Sequence, residues 1–498
     1  MDILQNLFYG IGVALSLQNL LYCFIGVLVG TLIGVLPGIG PLATIAMLLP
    51  ITYNIPPVAA LIMLAGIYYG AQYGGSTTSI LVNLPGETSS VVTCIDGYQM
   101  ARQGRAGVAL AIAAIGSFIA GTICTMLIAM IGPSVAEYAL KFGSPEYFSL
   151  MLLGLVTAAV LAQGDMLKSL AMMFLGLMLG IVGSDVDTGI KRFTFGFFEL
   201  ADGIGFVIIA VGVFAVGEII SNLSETEERM VFTSKVGSLY PTLQDLKQAI
   251  APILRGTAFG AFFGVLPGTG PSIASFGSYM IEKKIADDPS RFGHGAIEGV
   301  AGPESANNAD AQCKFIPMLT LGIPASGTMA LMLGALMIHG ITPGPSVMVQ
   351  QPALFWGLIA SMWIGNLMLV VLNLPLVGLW VSLLKVPYRM LFPAIMVFSA
   401  IGIYSTNNTS FDVYLAAIFG ILGIMWRLFG CSPIPMLLGV VLGPMMEENL
   451  RRTLQVSEGD PSVFLTRPIT LAFLIATVLV LIVMVMPAVR KRRDDIAG

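Results

Sequence analysis

Side chains with chemical reach gather in a few places along the chain. Ser76, Thr77, Thr78, Ser79 and Asn83 crowd one short segment, and Asn307 and Asn308 are adjacent in another. Oxygens of hydroxyls and amides ligate small hard cations, and the matching O–H and N–H groups hold carboxylates. Breaks in the backbone lie beside them. Residues 34–41 read GVLPGIGP and residues 264–271 read GVLPGTGP, identical at seven of eight positions and 230 residues apart. Thr269 and Ser272 belong to the second copy. Each copy is followed by a second turn of proline and a small residue, Pro85-Gly86 in one half and Pro324-Ala325 in the other.

Proline removes a backbone donor and stops a helix, and glycine lets the chain turn and approach a partner closely. Each motif therefore reads as a helix end, a tight turn and a new helix start. A new helix start presents free N–H groups and the positive end of its dipole, a place for an anion. The carbonyls of the helix that has just ended suit a small cation such as Na+. The expected substrate- and ion-binding residues are Gly38, Gly40, Pro41, Ser76, Thr77, Thr78, Ser79, Asn83, Pro85, Gly86, Gly268, Thr269, Gly270, Ser272, Asn307, Asn308, Gly322 and Pro324. One such turn alone is an ordinary connection between helices. Two copies at matched places, each followed by a polar break, favour a shared central site.

The ionisable residues add less. Glu87 follows Pro85-Gly86, where a carboxylate steadies a helix start, a reading favoured over ion binding. Asp310 and Lys314 are one helical turn apart and suited to pair with each other, with Lys314 a secondary candidate for a substrate carboxylate. Asp96 and His339 open matching loops and are expected at the membrane interface; Asp185 and Asp187 flank a turn expected to be solvated. No serine has a histidine close to it in sequence, and no acidic pair stands out in a span, so no catalytic residue is assigned. Only two histidines exist, and no His/Cys/carboxylate cluster has metal spacing. The five cysteines, an odd number without a CxxC, read as small buried hydrophobes. No cofactor and no nucleic-acid partner is expected.

The elements that position these groups must be membrane helices. The chain of 498 residues is 56% hydrophobic and 10% charged, against about 25% charged in a soluble domain. Residues 108–132 and 469–486 hold no ionisable side chain, and about 18 such residues make a span. A β-barrel would show short alternating segments instead. The fold expected is an all-α polytopic membrane protein of two inverted-topology repeats, with broken helices or re-entrant hairpins. The start, with Asp2 and no early Lys or Arg, lacks the basic region of a signal peptide. Residues 1–18 read as an interfacial helix, 19–221 as a first membrane repeat, 222–249 as a polar linker, 250–465 as a second repeat, and 466–498 as a last span with a basic tail. Arg490-Lys491-Arg492-Arg493 places the C-terminus in the cytoplasm on this reading.

The repeat rests on four matches in order: the Gly-Pro octapeptides, the polar breaks after them, 132–148 with 374–390, and LGLMLG (175–180) with LGVVLG (438–443). Charge argues for inversion. Loop 51–58 has no basic residue, while its match 282–295 carries Lys283, Lys284 and Arg291. One element later, 96–107 carries Arg102 and Arg105, while 339–351 carries none. Basic loops prefer the cytoplasm, so these corresponding loops fall on opposite sides, whereas the later loops 184–198, with Lys191 and Arg192, and 447–467, with Arg451, Arg452 and Arg467, are both basic.

Together, 30–50 (GTLIGVLPGIGPLATIAMLLP), 73–87 (YGGSTTSILVNLPGE), 96–107 (DGYQMARQGRAG), 264–276 (GVLPGTGPSIASF), 303–336 and GITPGP at 340–345 resemble the large membrane subunit of the tripartite tricarboxylate transporter family. The resemblance spans nearly the whole chain. It implies a permease of the bacterial inner membrane working with a small membrane subunit and a periplasmic solute-binding protein. It also implies uptake of carboxylates such as citrate by symport with a cation, usually Na+, through alternating access. Consistent with drive by a gradient rather than ATP, the sequence has no GxxxxGK[ST] loop. The competing readings are an intramembrane enzyme and a passive anion channel.

Overall fold

Residues 3–36, 40–161, 165–185, 188–217, 238–383 and 388–485 are described in the computed structural model, and they are almost wholly helical. The first half contains α1 (Ile3–Ala14), α2 (Leu17–Val35), α3 (Pro41–Thr52), α4 (Pro57–Val82), α5 (Val91–Met100), α6 (Ala106–Ala139), α7 (Ser144–Leu161), α8 (Met166–Gly180) and α9 (Phe206–Ala210), the last continuing into a π-helical stretch, Val211–Val216. The second contains α10 (Leu243–Val265), α11 (Pro271–Ile285), α12 (Glu298–Cys313), α13 (Phe315–Leu321), α14 (Gly327–Ile338), α15 (Ser346–Gln350), α16 (Pro352–Asn373), α17 (Val377–Leu383), α18 (Tyr388–Asn407), α19 (Ser410–Leu428), α20 (Ile434–Val456), α21 (Val463–Thr466) and α22 (Pro468–Val485). The strands among the described residues are a two-residue ladder, Gly183–Ser184 against Lys191–Arg192. Among the described residues α2, α16, α19 and the continuous stretch Thr88–Ala139 are long and apolar enough to cross a membrane. The chain is an all-α polytopic membrane protein.

Glycine spacing sets two close helix pairs. Gly26, Gly30 and Gly34 recur every fourth residue and so share one face of α2. A Cβ at each would stand 2.3, 2.5 and 2.2 Å from the carbonyl oxygens of Met63, Ile67 and Ala71 on α4. Gly256, Gly260 and Gly264 do the same on α10, at 2.2, 2.1 and 2.6 Å from the carbonyl oxygens of Gly302, Ala306 and Asp310 on α12. Only glycine permits backbones this close, and in lipid such packing is a main source of helix association. Numbers rise together in both pairs, so α2 runs parallel to α4 and α10 parallel to α12.

Other contacts fix the remaining directions. α4 runs with α16, Val58 lying near Gly357 and Tyr69 against Gly365. α6 runs against α16, Gly121 meeting Asn366 and Gly132 meeting Phe355. α6 runs with α12 and α13, Gly116 meeting Ser305 and Gly132 lying near Thr320. Hence α12 runs opposite to α4, and α10 opposite to α2. α11 folds back on α10, where Arg255 pairs with Glu282 at 2.5 Å and the Phe259 ring covers Gly277.

One end of the helical body holds the loops of Arg105 and His294. Gln103 Nε2 donates to His294 O at 2.8 Å, and Arg105 pairs with Asp245 at 2.7 Å. The same Asp245 closes a capping box with Thr242 at the start of α10. At the other end His339 lies beside the backbone of Thr52. The hairpin α2–α3 thus enters from the end of His339 and Thr52, and α10–α11 from the end of Arg105 and His294.

Asp96 is 0% exposed, and its Oδ1 accepts from the backbone N–H of Gly293, Gly295 and Ala296 at 2.9, 2.8 and 2.8 Å while Tyr279 Oη donates to Oδ2 at 2.9 Å. A carboxylate is buried there because it satisfies the donors of a loop that has no secondary structure to do so. One expectation is corrected: Asp185 is not in a solvated turn. It pairs with Arg451 at 2.8 Å and Arg192 at 3.6 Å, and Glu447 pairs with both arginines at 2.7 Å. Asp187 and the basic tail lie outside the described residues.

Candidate functional site

Each Gly-Pro octapeptide is a helix end followed by a helix start. α2 ends at Val35, with Leu36 as its cap, and α3 starts at Pro41, capped by Gly40 in extended conformation (φ −77°, ψ 165°). α10 ends at Val265, and α11 starts at Pro271, capped by Gly270 (φ −86°, ψ 157°). Proline fits the first helical position because its missing N–H has no partner there. Gly38 lies outside the described residues. The second breaks are left-handed helix ends: Asn83 closes α4 at φ 59°, and Gly322 closes α13 at φ 71°, with Ile323 N donating to Pro317 O at 3.2 Å.

All four breaks meet at one cavity of 510 Å³. Its wall includes Gly40 and Pro41 from the first octapeptide, Gly268, Thr269, Gly270 and Ser272 from the second, Pro85, Gly86 and Glu87 from the turn after α4, and Ala325 and Ser326 from the turn after α13. The two second-half breaks are tied directly, Gly268 N donating to Ala325 O at 3.0 Å. Gly268 has φ +82° and lies against Ala158 of α7, so both its conformation and its lack of a side chain are used.

Helix starts dominate this wall. α3 begins at Pro41, α11 at Pro271, α14 behind its cap Ser326, and α20 just after Ser432, and residues of all four first turns line the cavity. Their first N–H groups and dipoles bring positive potential to the space without a cationic side chain. No Lys, Arg or His lines the cavity among the described residues. Gln72 reaches the same wall from α4. It is 0% exposed, Ser89 Oγ donates to its Oε1 at 3.2 Å, and its Nε2 has no partner. A buried unpaired donor facing an enclosed space is suited to a ligand acceptor.

The other expected residues lie behind the wall. Thr77 donates to Tyr73 O at 3.4 Å, Thr78 to Val35 O at 2.9 Å, and Ser79 Oγ is buried without a partner. Ser76 Oγ donates to Glu304 Oε2 at 2.5 Å, and Thr93 donates to Glu304 Oε1. Asn308 Nδ2 reaches Ser117 Oγ at 2.7 Å, whereas Asn307 Nδ2 reaches Glu87 Oε1 at 3.2 Å. Pro324 is buried and, like Asn83 and Gly322, is not part of the wall. Glu87 caps the short helix Thr88–Ser90 in a capping box with Ser90. Lys314 and Asp310 pair, both fully buried.

Sequence reasoning missed Gln72 and Glu304. Each sits one helical turn before a polar residue that was singled out, Gln72 before Ser76 and Glu304 before Asn308, and that i, i+4 spacing was the available signal. Among the described residues no group of His, Cys, Asp and Glu could hold a metal ion by clustering.

The tripartite tricarboxylate transporter TctA family model matches residues 20–438. A protein of Agrobacterium vitis, described as an uncharacterized 52.8 kDa protein in the TAR-I ttuC' 3' region, is 58% identical over 496 residues, covering 100% of this chain and 99% of its own. A second from the same organism, described as an uncharacterized protein in the TAR-II ttuC' 3' region, is 59% identical over 237 residues, covering 48% of this chain and 98% of its own. No solved structure matches the chain.

Proposed function

The chain belongs to the tripartite tricarboxylate transporter TctA family, a transporter family and not an enzyme class, and from that premise we propose that it imports carboxylates of the citrate type by Na+ symport. It does so in the bacterial inner membrane with a small membrane subunit and a periplasmic solute-binding protein, its C-terminus in the cytoplasm. The observation that carries the substrate class is the cavity in which four helix starts and Gln72 offer donors and no basic side chain does. A di- or tricarboxylate fits such a space, since fixed backbone donors can be shared among several carboxyl groups.

The two halves act as inverted repeats that rock around the site. This reading is supported by the opposed directions of α4 and α12 and by glycine stripes at matching positions on α2 and α10. It is also supported by the two hairpins that reach the cavity from opposite ends. Tilting of one hairpin tip against the other opens the cavity to one side and closes it to the other.

The test is uptake of labelled citrate into proteoliposomes containing this chain and its small subunit, with the cognate binding protein added outside. Saturable uptake under an inward Na+ gradient, absent with K+, is expected. Citrate that does not move, together with failure of whatever carboxylate the binding protein captures, overturns the proposal.

A further inference from the structure

An anion cavity whose one acidic wall residue has no cationic partner poses an electrostatic problem. Glu87 faces the cavity beside the helix starts that would hold the substrate. Its carboxylate accepts from Ser89 Oγ at 2.5 Å and from Asn307 Nδ2 at 3.2 Å, and no lysine, arginine or histidine pairs with it among the described residues. Lys314 is close enough for its field to reach Glu87, but its ammonium is bonded to Asp310. A substrate carboxylate entering this cavity would meet a like charge in a medium where repulsion is strong.

We propose that Glu87 is the ligand for the coupling cation, a Na+ held between its carboxylate and the substrate. The proposal rests on the cation-coupled reading above. Three further oxygens, joined to Glu87 directly or through one hydrogen bond, are the candidates to share the cation. Ser89 Oγ touches both Glu87 and Gln72. Gln72 supplies Oε1 from the cavity wall. Asn307 is 1% exposed, and its Oδ1 is an acceptor with no partner, on the same amide that already touches Glu87. Sodium takes oxygens of this kind, and Asn307 Oδ1 is a buried acceptor with its capacity unused.

The backbone is shaped to hold Glu87 in this place. A Cβ on Gly75 of α4 would lie 2.9 Å from Glu87 Cγ, so glycine there makes the seat for the side chain. Gly86 packs against Gly34 O and the Gly75 Cα, fixing the chain one residue earlier. Glu304, the other acid nearby, is enclosed by Ser76 and Thr93 and is not part of the cavity wall. Glu87 is therefore the acid that solution cations reach. Loading of Na+ on Glu87 converts a repulsive wall into an attractive one, so that the cation binds first and the substrate enters readily only after it.

The experiment is binding of radioactive 22Na+ to the purified full-length chain in detergent, with no substrate present. Wild type is expected to bind 22Na+ saturably, with displacement by unlabelled Na+ and not by K+. Glu87→Gln is expected to abolish that binding. Asn307→Ala, which leaves the carboxylate in place, is expected to weaken it by about tenfold, at an unchanged elution volume on size exclusion. Absence of Na+ binding in wild type, or equal binding by Glu87→Gln and wild type, overturns the site. The two proposals separate cleanly. Wild-type uptake of a carboxylate that needs no Na+ would leave the carrier standing and overturn this site. Loss of 22Na+ binding in Glu87→Gln would support the site even where citrate fails to move.

Discussion

Replacing Gly86 by alanine tests whether the breaks build the site through close backbone contact. An alanine Cβ there would stand 2.0 Å from Gly34 O and 2.6 Å from the Gly75 Cα. Ordinary C···O contacts begin near about 3.3 Å, so something must move by roughly 1.3 Å. Nothing nearby is a flexible side chain; the crowded atoms are the backbone of α2 and α4. Overpacking of this kind costs about 1–3 kcal/mol, and the rigid neighbours place Gly86→Ala at the upper end. The shift falls on the turn that carries Pro85 and Glu87 into the cavity wall. Gly270→Ala is the matched control. Gly270 lines the same cavity at φ −86°, and a Cβ there meets nothing within 4 Å. The expected result is a Gly86→Ala protein with a midpoint of thermal unfolding several degrees lower and strongly impaired uptake in proteoliposomes. Gly270→Ala should keep wild-type stability and most of its uptake. If Gly86→Ala retained both stability and KM, the close contact would not be what the glycine is for. If Gly270→Ala were as damaging as Gly86→Ala, the octapeptide glycines would be needed for motion rather than for packing.

Other outcomes follow from single contacts. Asp96→Ala leaves three backbone donors without their acceptor; at about 1–3 kcal/mol for each buried unsatisfied group, it should destabilise far more than Tyr279→Phe, with trypsin cutting at Arg291 as the local readout. Asp185→Ala removes one of the two carboxylates beside Arg192 and Arg451, which are partly exposed and keep Glu447, so its cost should be about 1 kcal/mol or less and appear mainly as faster tryptic cleavage at Lys191 and Arg192. Gln72→Leu should raise KM for the carboxylate by about tenfold or more, the loss of one hydrogen bond to a charged group, with little change in maximal rate; an unchanged KM would remove Gln72 from the site. Cysteines placed at Arg102 and Gln350 should react with an impermeant maleimide from opposite sides of the membrane, and labelling from one side would refute inversion.

What could be read from the sequence follows from how each feature is written there. Proline and glycine act on their own backbone, so both octapeptides and both later breaks were visible as local text. Their convergence was not, because it is set by packing between residues far apart in the chain. Glu304 shows the same limit: its partners Ser76 and Thr93 come from the other half. The cluster Ser76–Ser79 looked like one ligand group, yet four successive helical residues point around the helix. They reach Glu304, Tyr73 O, Val35 O and no partner, in turn. The likeness of 175–180 to 438–443 is not that of equivalent helices in an inverted repeat, because α8 and α20 run parallel, Gly176 meeting Met436 and Gly180 meeting Val440. Gly176 lies against Met436 O and Gly439 against Met173 O, so the two stretches pack on each other. Both carry glycines because both face the same close contact.

The choice of backbone over basic side chains in the cavity bears on how a carrier must work. A lysine or arginine there would hold a carboxylate strongly, in either orientation of the protein, and would hinder release. Helix starts give a weaker and more distributed attraction that depends on the geometry of several tips at once. When α10–α11 and α2–α3 tilt apart, that sum falls without any charge having to move through the membrane. An acid in the same wall then sets a condition on entry. With Glu87 unneutralised, the dipoles work against its charge; with a cation on it, they act together on the substrate. Affinity that depends on both tip geometry and cation occupancy is the requirement for coupled uphill transport, and on the proposed reading one wall built from Gly86-Glu87 and the facing helix starts would supply both dependences.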